Sequence, residues 1–138
     1  MHLHNQSLLR STAFLGGKWI AADGGASIAA RDPADGSLLA EVPNCGAPET
    51  QRAIAAAAAA LPAWRAQTAK QRSQVLQRWF ALINANADDL AQLITAEGGK
   101  PLAEAKGEVA YGASFVEWFA EEGKRAYGET IPATAADR

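Results

Sequence analysis

Apolar residues at helical spacing fill the second half of this chain, and nothing in the first half is large enough to cover them. Val75, Leu76, Trp79, Phe80 and Ile83 recur at the three- and four-residue intervals that share one face of a helix. Leu90, Leu93 and Ile94 repeat the pattern briefly; Val109, Ala113, Val116, Phe119 and Ala120 repeat it over a longer stretch. Such faces must be buried against something. The first half offers two short strand pairs: Phe14-Leu15 with Lys18-Trp19-Ile20 about Gly16-Gly17, and Ser27 to Arg31 with Leu38 to Val42 about Asp32-Pro33-Ala34-Asp35-Gly36. Strands so few and short make no independently stable sheet. The expected organisation is a flexible stretch over 1–12, a β-rich start over 13–43 and a helical cluster over 47–128, forming part of something longer.

Local signals set the helix ends. Pro48 suits a first helical turn because its missing N–H costs nothing there, and Glu49 favours the helix dipole. This first helix holds six consecutive alanines, Ala55 to Ala60, between Ile54 and Leu61; the reading is a closely packed helix that stops near Leu61-Pro62. Thr68 and Gln71 have capping-box spacing and open a second helix. The polar run Asn84 to Asp89 interrupts it, Gly98-Gly99 ends a third, and Pro101 opens a long fourth with Gly128 as its stop.

Composition excludes several classes of function. The 138 residues are 49% hydrophobic and 20% charged, which indicates a packed fold rather than a disordered chain. A net charge of -2, without a basic stripe, argues against nucleic acid. One cysteine and two histidines, His2 and His4, supply neither a disulfide framework nor a zinc set of usual spacing. No apolar run is long enough for a signal-peptide core or a membrane span, so the expected setting is the cytoplasm.

No side chain by itself supports a reaction. Glu97, in "TAEGGKPLAE", superficially resembles the glutamate of the E-L-G-G-K signature of aldehyde dehydrogenases, but Gly98 follows it directly where another residue should intervene. A general base must reach its water within hydrogen-bond distance, so that spacing matters, and a solvated glutamate at a helix-ending Gly-Gly turn is the simpler reading. Cys45 lies between Asn44 and Gly46, with no base or electropositive setting to make a thiolate. Lys100, beside Pro101, lacks the desolvated pocket of a Schiff-base lysine. Tyr111, Phe115, Trp118 and Phe119 form an aromatic run that fits a core more readily than a ligand tunnel.

Taken together, "LPAWRAQTAKQR", "LITAEGGKPLAEAKGE" and "FVEWFAEEGKRAYGETIP" resemble the N-terminal part of aldehyde dehydrogenases, and within them the succinate-semialdehyde dehydrogenase branch. The hairpin "LGGKWI" and the segment "DPADGSLLAEVP", in place of the commoner "NPATG", fall where that family has them. The resemblance implies an α/β fold: the N-terminal portion of the aldehyde dehydrogenase fold, with its Rossmann-like cofactor domain incomplete and its catalytic domain absent from this chain. It implies an enzyme that oxidises succinate semialdehyde, or alternatively glutarate semialdehyde or another short aldehyde, with NADP or NAD through a cysteine thiohemiacetal. The family's catalytic and cofactor-binding residues lie downstream, so the matched chain carries none and should be inactive alone. It also implies the remainder of the chain as a partner and a homo-oligomer, dimer or tetramer, when full length; composition has already argued against nucleic acid and membrane.

Two sets of residues do carry over by the resemblance. The backbone carbonyls of Ala30, Arg31 and Glu97 match positions that hold a monovalent cation in relatives, and Gly98 leaves that loop freer than usual. Tyr111, with Gly112 as the competing assignment, falls near the mouth of the substrate tunnel. A different class of function, a non-catalytic helical scaffold or binding module, would require this chain to bury its own stripes.

Overall fold

The computed structural model describes residues 1–136. After a short 3-10 turn at Gln6–Leu8 come two antiparallel hairpins, β1 (Ala13–Leu15) with β2 (Lys18–Ile20) and β3 (Ser27–Arg31) with β4 (Leu38–Pro43). Four helices follow: α1 (Ala47–Ala66), α2 (Ala69–Ala85), α3 (Ala87–Gly98) and α4 (Leu102–Glu122). The two hairpins do not pair with each other. Gly16 and Gly17 turn the first at φ 57° and 83°, the pair of positive values that a two-residue hairpin loop demands. In the second, the Asp32 carboxylate accepts from the Ala34 N–H at 2.9 Å and the Asp32 carbonyl from the Gly36 N–H at 2.8 Å.

The α1 boundary departs from expectation. The helix passes Pro62 and ends at Ala66, because the helix preference of the alanine run outweighs the one hydrogen bond that proline removes. The run is also not closely packed. Of Ala55 to Ala60 only Ala56 is half-buried, against Gly16 of the first hairpin, and the other five face outward. Periodicity cannot reveal this, since an all-alanine surface has no apolar stripe to orient.

The helical core is made by α2, α3 and α4, and it is built from small side chains. Ala91 and Ala105 are fully buried, Val109 nearly so, and Ile83, Leu90 and Ile94 pack around them. Small residues let two helix backbones approach closely, so a modest apolar area suffices to join them. On α2 the expected single face splits in two. Leu76, Phe80 and Ile83 turn inward beside the buried Ser73, whereas Val75 and Trp79 look outward with Leu82. On α4 Val109, Ala113 and Ala120 are buried as expected, but Phe119 is exposed and Ala105 takes part instead. That helix stops at Glu122, six residues short of Gly128, where the Gly123 N–H bonds the Phe119 carbonyl. No helix or strand follows over 124–136.

The first residues are held rather than loose. Leu3 is buried, and the carboxylate of Asp89, itself only 3% exposed, accepts the backbone N–H groups of His4 at 3.0 Å and Asn5 at 2.7 Å. His2 and His4 meet edge to face with ring centroids 6.0 Å apart.

Candidate functional site

The turn of the second hairpin and the corner between α3 and α4 come together. Gly99 caps α3 in the left-handed region at φ 72°, and a Cβ placed there would stand 2.9 Å from Cγ of Pro33. Arg31 lies two residues before Pro33, and Glu97 two residues before Gly99. The β3–β4 ladder is irregular between Ala30 and Arg31, and such an irregularity turns backbone groups away from regular pairing. Glu97 sits in the last turn of α3, whose carbonyls lie beyond the reach of the helix's own N–H groups. The Arg31 guanidinium donates to the Gly36 carbonyl at 3.0 Å, so its charge is engaged within its own turn. A cavity of about 180 Å³ adjoins this corner, lined by Asp32, Thr95, Ala96 and Leu102 among others, and Thr95 Oγ1 is buried there without a hydrogen-bond partner.

Tyr111 lies elsewhere, on the outer face of α4. It is 67% exposed and meets Phe115 edge to face at 4.8 Å between ring centroids. One turn on, Phe115, Trp118 and Phe119 line an open trough of about 660 Å³ together with Arg125. Gly112 is exposed as well. The aromatic run is therefore no core of the described residues, although α4 does bury its opposite, alanine-rich face.

The remaining candidates have structural settings. Lys100, expected to be solvated, is half-buried and pairs with Glu108, while Lys106 pairs with Asp88 at 2.7 Å; both pairs tie the start of α4 down. Cys45 is half-buried beside Phe14, Ile20 and Glu49. Glu49 is the residue whose role residue-type reasoning understated. It caps α1 by accepting the Gly46 N–H at 2.9 Å, and it also accepts the Asp23 N–H at 2.8 Å, joining the segment after the first hairpin to the helix. The next turn repeats the tie, with Arg52 donating both arms to the Asp23 carboxylate at 2.7 Å. The Asp23 N–H, foremost, with backbone donors at the start of α1, holds the Glu49 carboxyl below its ordinary 4.5.

That shift has a direction in stability. A carboxylate whose folded value is depressed stabilises the fold above its unfolded value and loses the contribution as pH falls through the folded one. Parent protein should therefore unfold at lower denaturant as pH drops below about 4.5, the ordinary Glu49 value. Glu49→Gln keeps one acceptor oxygen and orphans one of two N–H donors; urea titrations at several pH values should show it less stable at neutral pH, with a flatter decline below pH 4.5. An unchanged acid slope would assign the decline to other carboxylates.

Residues 19–138 match the aldehyde dehydrogenase family model. This chain belongs to the aldehyde dehydrogenase family. It is 56% identical over all 138 of its residues to glutarate-semialdehyde dehydrogenase of Pseudomonas putida and 55% identical to the NADP-dependent succinate-semialdehyde dehydrogenase of Escherichia coli. In each case it spans 29% of the relative's length. The crystal structure of an E. coli NADP-dependent enzyme superposes with a TM-score of 0.96 at 55% identity, over 99% of this chain and 28% of that one. Two hairpins and four helices are thus the N-terminal part of the aldehyde dehydrogenase fold. Among the described residues no helix is long and apolar enough to cross a membrane.

Proposed function

We propose that this chain is the N-terminal scaffold of an NAD(P)-dependent dehydrogenase that oxidises a short semialdehyde bearing a distal carboxylate, succinate semialdehyde foremost, in the cytoplasm. The observation that carries the reading is identity above one half, over the whole of this chain, to enzymes named for succinate and glutarate semialdehydes. Exposed apolar faces support it from the physics. Tyr111, Phe115 and Trp118 on α4, Trp79 and Leu82 on α2, and Ile54 and Leu61 on α1 are each at least 45% exposed. Faces of that kind fit the remainder of a longer chain or a second subunit of a homo-oligomer. Glutarate semialdehyde is the second reading, since its enzyme is as similar to this chain as the succinate enzyme is.

Within that enzyme the carbonyls of Ala30, Arg31 and Glu97 hold a monovalent cation, supported by the approach of the β3–β4 turn to the Gly99 corner. Tyr111 lines the approach to the substrate, supported by its place on the aromatic face of α4. Neither catalysis nor cofactor binding is assigned to a residue of this chain.

The test compares the 138-residue chain with the full-length protein. Full-length protein should reduce NADP or NAD when given succinate semialdehyde, and the chain alone should not. Turnover by the chain alone, or none by the full-length protein with either semialdehyde, overturns the reading. Glu97→Gln in the full-length protein should leave turnover within a few-fold, because the backbone carbonyl survives. A loss on the order of ten-thousand-fold, as for a key catalytic group, would return Glu97 to the role of general base.

A further inference from the structure

Side chains of α3 meet the N-terminal segment at a regular interval. Asn86, Asp89 and Gln92 lie three residues apart along one face of the helix. Asn86 Oδ1 accepts from Asn5 Nδ2 at 3.0 Å, Asp89 takes the N–H groups of His4 and Asn5, and Gln92 Oε1 accepts the His2 N–H at 3.1 Å. One turn further on, Met1 lines the small cavity with Thr95 and Ala96. Residues 5 to 1 thus run along α3 from its first turn toward its last, with side-chain oxygens of the helix receiving three backbone donors and the Asn5 side-chain amide of the segment. Residues 5–8 close into a knob of their own: Asn5 Oδ1 accepts from the Ser7 hydroxyl at 2.6 Å and the Ser7 N–H at 3.2 Å, and the Leu8 N–H bonds the Asn5 carbonyl at 3.1 Å. Leu3, 3% exposed, is the apolar peg between the two ends.

We propose that residues 1–8 are a latched strap: Asp89 is the latch, the strap opens from α3 as one unit, and its open form uncovers the helix face that ends at the Thr95–Gly99 corner. The latch carries most of the hold because one carboxylate satisfies two adjacent backbone donors, and hydrogen bonds to a charged acceptor are the strong ones. Asp89 does not spend itself on its own helix, whose N-cap Asn86 receives no side-chain bond from within α3. The device is independent of the reaction assigned to the family.

Hydrogen exchange followed by mass spectrometry on the full-length protein tests it. Asp89→Ala should speed exchange of the peptide covering residues 1–8 by about ten-fold or more, while peptides in β3–β4 and α4 keep the parent rates. Gln92→Ala should raise exchange across residues 1–8 together, by less than Asp89→Ala does, and loosening confined to the first three residues would show that the strap does not open as one unit. Two further results overturn the proposal: unchanged protection of residues 1–8 in Asp89→Ala, or an equal rise across β3–β4 and α4, which makes Asp89 a general prop of the fold. Should Asp89→Ala not fold, Asp89→Asn, which keeps one acceptor oxygen, and Leu3→Ala are read by the same two criteria.

Discussion

Gly99→Ala should lower the unfolding free energy by about 2–5 kcal/mol, from two separable sources. The backbone at φ 72° is left-handed, which costs a residue with a Cβ roughly 1–2 kcal/mol. The new methyl must also occupy a point 2.9 Å from Cγ of Pro33, a ring atom that cannot swing aside as a flexible side-chain end would. Overpacking of that kind typically adds about 1–3 kcal/mol. Urea unfolding of the full-length protein measures the sum, and Pro33→Ala separates its parts. In the double variant the steric part should be recovered and the backbone part should remain, a coupling of about 1 kcal/mol or more. If Gly99→Ala unfolds within about 0.5 kcal/mol of the parent, the corner is looser than this contact requires. The neighbouring Gly98 has no atom within 4 Å of its built Cβ and a φ outside the left-handed region, so Gly98→Ala makes a matched control.

The second large effect is expected where the helices touch. Ala105 is 0% exposed and shares the buried cluster with Ala91, also 0% exposed, so Ala105→Leu forces three extra carbons into the packed seam of α3 and α4. Such an insertion costs about 1–3 kcal/mol when the surroundings yield. The upper part of that range is expected here, because both partners are on helices and each must move as a body. Ala110→Leu, on the exposed side of the same helix, should stay within about 0.5 kcal/mol of parent. Comparable losses for Ala105→Leu and Ala110→Leu would mean that α3 and α4 do not meet as described.

What could be read from the residues was whatever the backbone decides locally. Gly16-Gly17 can turn a hairpin with two positive φ values almost whatever surrounds it, and Thr68 with Gln71 caps α2 through bonds spanning three residues. Gly98-Gly99 ended α3 as its composition demanded. Apart from the ends of α1 and α4, which local preferences moved, the misreadings needed a partner far away in sequence. Val75 and Trp79 are as apolar as Leu76 and Phe80, and only the position of α4 decides which pair is inside. Nothing near Asp89 announces that its carboxylate serves residues 84 and 85 positions earlier. For the candidate site, residue types gave Glu97 no role beyond a turn. Its juxtaposition with the second hairpin came from family resemblance; the contact seen in the structure is that of Gly99, two residues on, with Pro33 of that hairpin's turn.

The strap also bears on the order in which the molecule assembles. Ala91 and Ala105 are separated by one tight corner, so the α3–α4 pair closes a short loop and can form early. The bonds from His4 and Asn5 to Asp89 instead close a loop of more than eighty residues and require a helix that is already in place. During synthesis the first residues must therefore wait, unpaired, until the whole of α3 has emerged and coiled. Docking of the N-terminus is then a late step that reports a completed helical pair rather than one that helps to build it.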